Sequence, residues 1–339
     1  MSRQAEPLQV AVVGLGVGEQ HAIAFARHPE CRLAWVYDAD AAQAAAVSAR
    51  LGGVTIARGF DEILDDPRID VVSIASPDHI HFAQVAAALT RGKHVFVEKP
   101  ICQTVEQAIE LKRRWAVHGG RVKLLSNLIL RAAPLYTWLR DRIAAGELGE
   151  IYAFDGDYLY GRIHKITEGW RRDVEGYSVM EGGGIHLIDL LLWLTGERPV
   201  RVATRGNRIA TRESAFRYDD FMAATFTAPS GLIARVTANF GCMHRHQHVL
   251  RVFGTRGTFI HDDAGPRLHA SRDAAHEPTR IELASLAASK GDLIPGFVQA
   301  IREDRDTAAD TQAVFDALSA CAASDCALRR GTDVEIPYI

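Results

Sequence analysis

The feature that most constrains the fold is a regular alternation of short apolar runs and helical segments over the first 127 residues. The apolar runs are Leu8–Val13, Leu33–Tyr37, Val71–Ala75, His94–Val97 and Val122–Ser126. The segments with helical patterns are Glu19–Arg27, Asp40–Leu51, His79–Thr90 and Val105–Val117. Continuous apolar strands between helices are typical of a parallel sheet with both faces covered. The pattern therefore predicts an α/β fold with a doubly wound parallel sheet.

The pattern changes after Asn127. Helices are predicted at Pro134–Ala145, His186–Thr195, Ile294–Arg302 and Thr311–Leu328. Strand-like runs with turn residues between them are Ile151–Tyr160, Val200–Ala210, Phe221–Phe226, Leu232–Phe240, His248–Phe253 and Gly257–His261. That spacing favours an antiparallel sheet. We expect two domains, residues 1–127 and residues 128–339, without a flexible linker between them.

Charge and composition exclude several classes of protein. Lysine and arginine number 39 against 42 acidic residues, a net charge of −3, so no basic field favours nucleic acid or an acidic membrane. Five scattered cysteines without a CxxC pair indicate reduced thiols in a cytoplasmic protein, and no metal site is expected. The N-terminal segment has no signal-peptide pattern, and the most apolar later stretch, Ile185–Leu194, is too short to span a bilayer. We expect neither a nucleic-acid nor a membrane partner.

A cluster of glycines separates the first predicted strand from the first helix, in the order Gly14, Leu15, Gly16, Val17 and Gly18. Such a turn lets backbone N–H groups approach a pyrophosphate at the helix N-terminus, so residues 14–17 are candidate cofactor ligands. The spacing differs from GxGxxG, and a turn needed only for packing is the alternative.

Asp38 ends the second predicted strand, 24 residues after Gly14. A carboxylate at about this spacing accepts hydrogen bonds from the adenosine ribose and would repel a 2′-phosphate. No lysine or arginine lies between Asp38 and Arg50 to neutralise such a phosphate. The sequence therefore favours NAD over NADP, with a helix cap or a solvated turn as the alternative role of Asp38.

Two more polar groups follow later strands of the predicted parallel sheet, where ligands bind in this architecture. Ser76, Pro77 and His81 follow one strand, and His81 either faces the cofactor or packs the next helix. Glu98 and Lys99 follow another, and a lysine there can hydrogen-bond a substrate oxygen beside a nicotinamide. The alternative is that Lys99 is an exposed surface lysine without such a role.

These residues together resemble the Gfo/Idh/MocA family, the glucose–fructose oxidoreductase and inositol dehydrogenase group of NAD(P)-dependent enzymes. The resemblance spans nearly the whole chain. Its features are the glycine turn with His21, Ser76-Pro77 with His81, Gly92 to Val95 leading into Glu98-Lys99-Pro100, Arg131 with Pro134, Gly146 to Gly149, Trp170-Arg171, and Gly184 to Asp189 before Trp193 and Gly196.

The resemblance implies an N-terminal Rossmann domain and a C-terminal α+β domain with a large open, mainly antiparallel sheet. That sheet often forms an oligomer interface, which implies a homodimer or homotetramer. The family exchanges a hydride at a sugar, inositol or related hydroxyl. By position, Lys99 matches the catalytic lysine, His186 the catalytic histidine and Asn127 a residue near the nicotinamide.

One position departs from the family pattern. Many members carry an aspartate four residues before the histidine, where this chain has Gly182. The nearest acid is Glu181, and Asp189 matches an acid of more structural character. Either Glu181 substitutes, or Lys99 and His186 suffice, or catalysis has been altered or lost.

Hydrogen-bonding and aromatic groups are dense between residues 158 and 184, which is typical of a pocket for a sugar acid or a nucleotide sugar. A charged surface loop is the alternative. The candidate substrate ligands are Lys99, Tyr160, Arg162, Trp170, Arg171, Glu181 and His186. His244, His246 and His248 would share one face of a strand, which suits zinc less well than an exposed polar face or the rim of a pocket or interface.

The sequence thus predicts an NAD(P)-dependent oxidoreductase acting on a hydroxyl or keto carbon of a carbohydrate. In this hypothesis His186 takes the hydroxyl proton and Lys99 stabilises charge on the same oxygen. Two alternatives stay open. One is a redox-neutral enzyme of the same family that uses NAD transiently, as in glycoside cleavage, and the other is a non-catalytic sensor of NAD or a sugar nucleotide.

Overall fold

The computed structural model describes residues 6–339, which form two compact units. Unit 1 consists of the described residues up to Ile129 together with Ala287–Phe315, and unit 2 consists of Leu130–Leu286 and Asp316–Ile339. The first boundary lies two residues after the predicted one. A single division at residue 127 does not anticipate that Ala287–Phe315 belongs to unit 1.

Unit 1 is built on a six-stranded parallel sheet, as the apolar runs predict. Its strands are β1 (Leu8–Val13), β2 (Cys31–Tyr37), β3 (Thr55–Ile56), β4 (Val71–Ile74), β5 (His94–Val97) and β6 (Leu124–Ser126). The spatial order is β3-β2-β1-β4-β5-β6, the order of the dinucleotide-binding fold. The strand order reverses between β1 and β4, so the carboxyl ends of these strands form the expected ligand crevice.

Five helices connect these strands: α1 (Gly18–Arg27), α2 (Ala41–Arg50), α3 (Phe60–Asp65), α4 (His81–Thr90) and α5 (Val105–Ala116). A short 3₁₀ turn, Asp78–Ile80, precedes α4. The core between sheet and helices is close-packed, and Phe25 of α1 meets Phe96 of β5 edge-on with ring centroids 6.5 Å apart.

Unit 2 contains a nine-stranded sheet in the order β14-β13-β12-β11-β7-β10-β9-β8-β15. Its strands are β7 (Ile151–Leu159), β8 (Arg201–Asn207), β9 (Phe221–Thr227), β10 (Ile233–Asn239), β11 (Gln247–Gly254), β12 (Thr258–Asp262), β13 (Gly265–His269), β14 (Thr279–Arg280) and β15 (Val334–Glu335). All neighbours are antiparallel except β7 and β10, which are parallel. The mainly antiparallel sheet confirms the expected fold class.

The helices of unit 2 begin with α6 (Pro134–Ala144), α7 (His164–Thr167), α8 (Trp170–Asp173) and α9 (Ile185–Thr195). A 3₁₀ turn spans Ile129–Ala132, and a π-helical turn, Met180–Gly184, leads directly into α9. Helix α9 is almost wholly buried, and Leu187 lies so close to β7 that a Cβ at Gly156 would sit 3.2 Å from it. The glycine in β7 therefore lets α9 pack tightly on the sheet.

Two helices lie between β14 and β15 in the chain: α10 (Ile294–Arg302) and α11 (Ala308–Arg330). Helix α10 packs on unit 1, where Phe297 lies 5.6 Å from Phe96 between ring centroids. Residues of α11 up to Phe315 belong to unit 1, and the rest belong to unit 2. Among residues 6–339, no helix combines the length and the apolar character needed to cross a bilayer.

Candidate active site

The glycine turn of unit 1 is shaped by Gly14. Its φ is +80°, a region that residues with a side chain rarely adopt, and a Cβ there would overlap the backbone of Ala75 and Ser76. The turn therefore lies directly against the carboxyl end of β4.

The next two glycines have different surroundings. A Cβ at Gly16 would meet nothing within 4 Å, whereas one at Gly18 would lie 3.0 Å from the Cβ of Ala75. Gly18 thus allows close packing of α1 on the sheet, and Gly16 keeps the backbone approachable. The N-cap of α1, Val17, makes no side-chain cap hydrogen bond, so the positive end of the helix dipole is open to an anion.

Asp38 lies beside this turn at the end of β2. One carboxylate oxygen accepts a hydrogen bond from the Leu15 N–H at 2.6 Å, and the other accepts one from the Asp40 N–H at 2.9 Å. Asp40, by contrast, caps α2 by accepting from the Ala42 N–H at 2.9 Å. The cap that was an alternative role for Asp38 is therefore filled by Asp40, and Asp38 holds the glycine turn in place. Arg50, the first basic residue after Asp38, is paired with Glu19 at 2.6 Å.

His81 joins two loops at the carboxyl edge of the sheet. Its Nε2 lies 2.8 Å from the Ser76 carbonyl oxygen, and its Nδ1 lies 2.7 Å from the Pro100 carbonyl oxygen. The ring is fully buried, and the Lys99–Pro100 peptide bond is cis. These contacts fix the loops that carry Pro77 and Lys99, while its contact with a cofactor stays a prediction.

A buried polar network lies next to Lys99. Asn127 Nδ2 lies 2.7 Å from Glu98 Oε1, 2.8 Å from the Lys290 carbonyl oxygen and 3.2 Å from His21 Nε2. His21 Nε2 lies 3.3 Å from Glu98 Oε1, and His21 Nδ1 lies 3.0 Å from the Ser73 hydroxyl. The network ties α1 to the ends of β4, β5 and β6.

Glu98 stays ionised within this network. Burial alone would raise the pKa of its carboxyl, but the hydrogen bond and charge of His21, the charge of Lys99 and the Asn127 amide lower that pKa to about 2. A carboxylate so held gives Lys99 a fixed negative neighbour.

The geometry of unit 1 fits a dinucleotide. The open space at Gly16 and the uncapped start of α1 suit a pyrophosphate. The Asn127 Oδ1 atom is buried and has no hydrogen-bond partner in the part of the chain that the structure describes. A carboxamide N–H would satisfy that oxygen, and buried polar atoms are seldom left unpaired.

In unit 2, a serine organises the entry to the helix that carries His186. The Ser178 hydroxyl accepts hydrogen bonds from the N–H groups of Met180 at 3.1 Å and Glu181 at 3.3 Å. It donates one to Asp325 Oδ1 at 2.8 Å. Burial raises the pKa of Asp325 to about 6, against the opposing hydrogen bond from Ser178 and the charge of Arg329.

His186 is buried within a cluster of aromatic rings. Its ring stacks on Tyr158 with centroids 6.3 Å apart and meets His248 edge-on at 5.8 Å. His248 lies 4.9 Å from His246, which in turn lies 5.1 Å from Tyr160. A Cβ at Gly183 would overlap the Tyr158 ring, so the glycine admits that ring against the helix start.

Asp189 lies one turn after His186 and binds Arg131. The Arg131 Nη2 and Nε atoms lie 2.6 and 3.1 Å from Asp189 Oδ1. Burial raises the pKa of Asp189, while Arg131 opposes that shift. The pair joins α9 to the Ile129–Ala132 turn, which agrees with a structural acid.

The other candidate substrate ligands lie around the same cluster. Arg162 lies over the Tyr160 ring at 5.5 Å, Arg171 lies over Trp170 at 4.3 Å, and Trp170 meets Tyr177 edge-on at 6.5 Å. Glu181 is buried in the π-helical turn. Their contact with a substrate stays a prediction.

The three histidines do not share a strand face, which corrects the interpretation of that segment. Strand β11 begins at Gln247, and His244 turns away to Asp263, with Nε2 3.2 Å from Oδ2. The carbonyl of His244 lies where a Cβ on Gly161 would be, so only a glycine at position 161 allows this close approach. Over residues 6–339, no group of three or more histidine, cysteine or acidic side chains is placed to hold a metal.

Two residues of the predicted pocket segment, Tyr158 and Tyr177, are not among the candidate substrate ligands but belong to the cluster. Tyr158 faces inward on β7, and the alternation of that strand could have indicated it. Tyr177 fills the space next to Gly182, and no pattern in the sequence predicts that contact.

Comparison with known proteins identifies the family. Residues 8–125 match the oxidoreductase family with an NAD-binding Rossmann fold, and residues 136–260 match its GFO/IDH/MocA C-terminal domain. The inositol 2-dehydrogenase of Rubrobacter xylanophilus is 30% identical over 262 residues, covering 76% of this chain and 72% of that protein. The chain belongs to the Gfo/Idh/MocA oxidoreductase family.

Two further relatives illustrate the range of this family. The D-glucoside 3-dehydrogenase of Escherichia coli is 27% identical over 282 residues, covering 78% of each chain. The crystal structure of GenD2 from gentamicin A biosynthesis in complex with NAD superposes with a TM-score of 0.83 at 21% identity, covering 99% of this chain and 98% of that one. At that identity the likeness shows the fold.

Proposed function

We propose that the chain is an NAD-dependent dehydrogenase that moves a hydride between nicotinamide and a hydroxyl-bearing carbon of a sugar, sugar acid or nucleotide sugar. The main observation that supports NAD binding is the open space at Gly16, beside an uncapped helix start and the Asp38 carboxylate. The relatives named above act on inositol and on D-glucosides, both of which are polyhydroxylated rings.

NAD is favoured over NADP because Asp38 is an acid beside the turn and Arg50 is already paired with Glu19. A 2′-phosphate would meet the Asp38 carboxylate at the site proposed for the ribose. The proposed cofactor ligands are residues 14–17, Asp38, Ser76, Pro77, His81, Glu98, Lys99 and Asn127.

Bound NAD would supply the hydride acceptor. His186 takes the proton of the substrate hydroxyl, a task that suits an imidazole because its ordinary pKa is close to neutrality. Lys99, held beside the ionised Glu98, donates a hydrogen bond to the substrate oxygen and stabilises the negative charge that develops there. Oxidation thus removes one proton and one hydride from the alcohol and leaves a carbonyl. The Tyr160 ring and the Arg162 and Arg171 guanidinium groups bind the rest of the carbohydrate.

The test begins with titration of the purified chain with NADH and with NADPH, followed by energy transfer from tryptophan. NAD⁺ is then supplied with myo-inositol, methyl glucoside, glucuronate and a nucleotide glucose while reduced nicotinamide is measured. We expect tighter binding of NADH and net formation of reduced nicotinamide with at least one compound.

The variants Lys99→Met and His186→Asn should lower kcat/KM by about 10²-fold or more, while NADH affinity of His186→Asn stays within about twofold. Lys112→Met and His276→Asn are matched controls on exposed or half-exposed positions. Substrate loss without net reduced nicotinamide would replace the proposal by the redox-neutral enzyme. Tight binding of NADH with no conversion of any compound would support the sensor.

We further propose that the protein is a cytoplasmic homodimer or homotetramer. All five cysteines are free thiols, which suits a reducing compartment. The sheet face opposite α9 presents Asp157 bound to Arg235 at 2.8 Å, with exposed Ile233 on the same face. Light scattering of the purified chain tests the assembly, and a monomer at micromolar concentration would exclude it.

A further inference from the structure

At position 182, which lacks the usual family acid, the space for a side chain is occupied by Tyr177, five residues earlier in the chain. A Cβ built on Gly182 would overlap the hydroxyl oxygen of Tyr177 and lie 3.0 Å from its Cζ. The phenol therefore ends where a side chain at position 182 would begin, and Gly182 is a glycine because Tyr177 needs that space.

That location faces the same way as His186. Gly182 lies four residues before His186, in the π-helical turn that continues into α9. The backbone between them is partly π-helical and partly α-helical, and a residue about one turn before His186 lies near the His186 face, so the Tyr177 hydroxyl lies near that face.

The ring of Tyr177 is held independently of its hydroxyl. It meets Phe216 edge-on at 6.0 Å and Trp170 at 6.5 Å, and only 5% of the residue is exposed. Removing the oxygen alone therefore leaves the ring in place.

Two guanidinium groups lie over aromatic rings of this cluster. Arg171 lies 4.3 Å from the centre of the Trp170 ring, which meets Tyr177, and Arg162 lies 5.5 Å from the centre of the Tyr160 ring. Burial raises the pKa of Tyr158 well above its ordinary value, and the neighbouring Tyr160 and Tyr177 hydroxyls add to that rise. Arg171 and Arg162 oppose it, so both guanidinium charges act on the Tyr158 hydroxyl. Tyr158 is the ring that stacks on His186.

We propose that Tyr177 determines substrate specificity: its hydroxyl takes the place of the acid absent at position 182, and the site accepts an anionic carbohydrate such as a uronic acid. The inference rests on the proposed dehydrogenase function. A carboxylate at position 182 would repel a substrate carboxylate, whereas a neutral phenol donates a hydrogen bond to it. Arg171 and Arg162 supply the complementary charge.

The experiment compares two substrates that differ only in charge, methyl glucuronide and methyl glucoside, on the same enzyme. The wild-type kcat/KM should favour the glucuronide by about tenfold or more. Tyr177→Phe should lose about 10- to 100-fold in kcat/KM for the glucuronide. Tyr152→Phe, an exposed tyrosine at the start of β7, is the control and should change nothing.

The second variant removes the phenol at position 177 and places a carboxylate at position 182. Tyr177→Ala combined with Gly182→Asp frees the space and restores a carboxylate near the His186 face. A full charge a few ångströms from the substrate carboxylate should lower the glucuronide-to-glucoside ratio by about tenfold or more. Because the ratio compares two substrates on one preparation, partial loss of folded protein does not change it. Calorimetric affinities of both glycosides give the same comparison without turnover.

The outcomes separate the two proposals. Failure of the wild type to bind or oxidise any carbohydrate would reject the dehydrogenase function, and this inference with it. An active wild type whose Tyr177→Phe variant keeps its kcat/KM within twofold, or whose second variant keeps its substrate ratio, would overturn the role of Tyr177 alone.

Discussion

Substitution by alanine should have different effects on stability and NADH affinity at Gly14, Gly16 and Gly18 of the glycine turn. At Gly14 the methyl group is forced into a left-handed conformation, which costs about 1–2 kcal/mol, and it overlaps the backbone of Ala75 and Ser76. Overpacking of this kind adds about 1–3 kcal/mol. Gly14→Ala should therefore destabilise the protein by about 2–5 kcal/mol.

At Gly16 the methyl group meets no protein atom within 4 Å, so stability should change by no more than about 0.5 kcal/mol. The same methyl group projects into the space proposed for the pyrophosphate, and NADH affinity should fall about tenfold or more. At Gly18 the tight contact with Ala75 opposes the helix preference for alanine, about 1 kcal/mol, and both stability and NADH affinity should change little.

Thermal unfolding followed by circular dichroism measures the first quantity, and energy transfer from tryptophan to NADH measures the second. The expected pattern is loss of stability at 14, loss of affinity at 16, and neither at 18. Wild-type NADH affinity in Gly16→Ala would refute the assignment of the open space to the cofactor. A loss of stability at 16 equal to that at 14 would refute the argument from packing.

Two further predictions concern Asp189 on the helix that carries His186 and Asp325, which binds the Ser178 hydroxyl at the entry to that helix. Asp189→Asn removes the buried carboxylate charge that binds Arg131, and the free energy of unfolding should fall by about 1–3 kcal/mol in urea titrations. Asp173→Asn, which breaks the exposed pair with Arg172, should have little effect. Because the folded pKa of Asp325 is raised from 3.8 to about 6, its ionisation removes stability as pH rises through that window. Asp325→Asn should therefore raise the melting temperature more at pH 7.5 than at about pH 4, and an equal rise at both would contradict the shift.

The central strands of the parallel sheet could be predicted because they are buried on both faces. Val71–Ile74 and Val10–Val13 are almost fully buried, and continuous apolar runs record that burial directly. Strand β3 has no continuous apolar run, since both of its residues are exposed. Helix α3 spans only six residues, too few for a clear helical period.

The division into two units could not be predicted from local sequence patterns. Helix α10 has one strongly apolar face, with Phe297 and Val298 buried, and its pattern predicts a helix correctly. The same face would suit either unit, because hydrophobic burial is not directional. Only the assembled core, where Phe297 meets Phe96, decides that the helix belongs to unit 1.

The candidate site shows the same limit at the level of single residues. The position of Asp38 beside the glycine turn could be predicted because strand, turn and spacing are all local, and the structure adds its hydrogen bond from Leu15. Its contact with a ribose stays a prediction. The glycines at 182 and 183 could be seen as departures from a pattern, but their cause lies in Tyr177 and Tyr158, which occupy the missing side-chain volume. A missing functional group in a sequence is therefore weak evidence for lost chemistry, since the side chain of another residue can occupy the same place. Only substitution of both residues distinguishes the two cases.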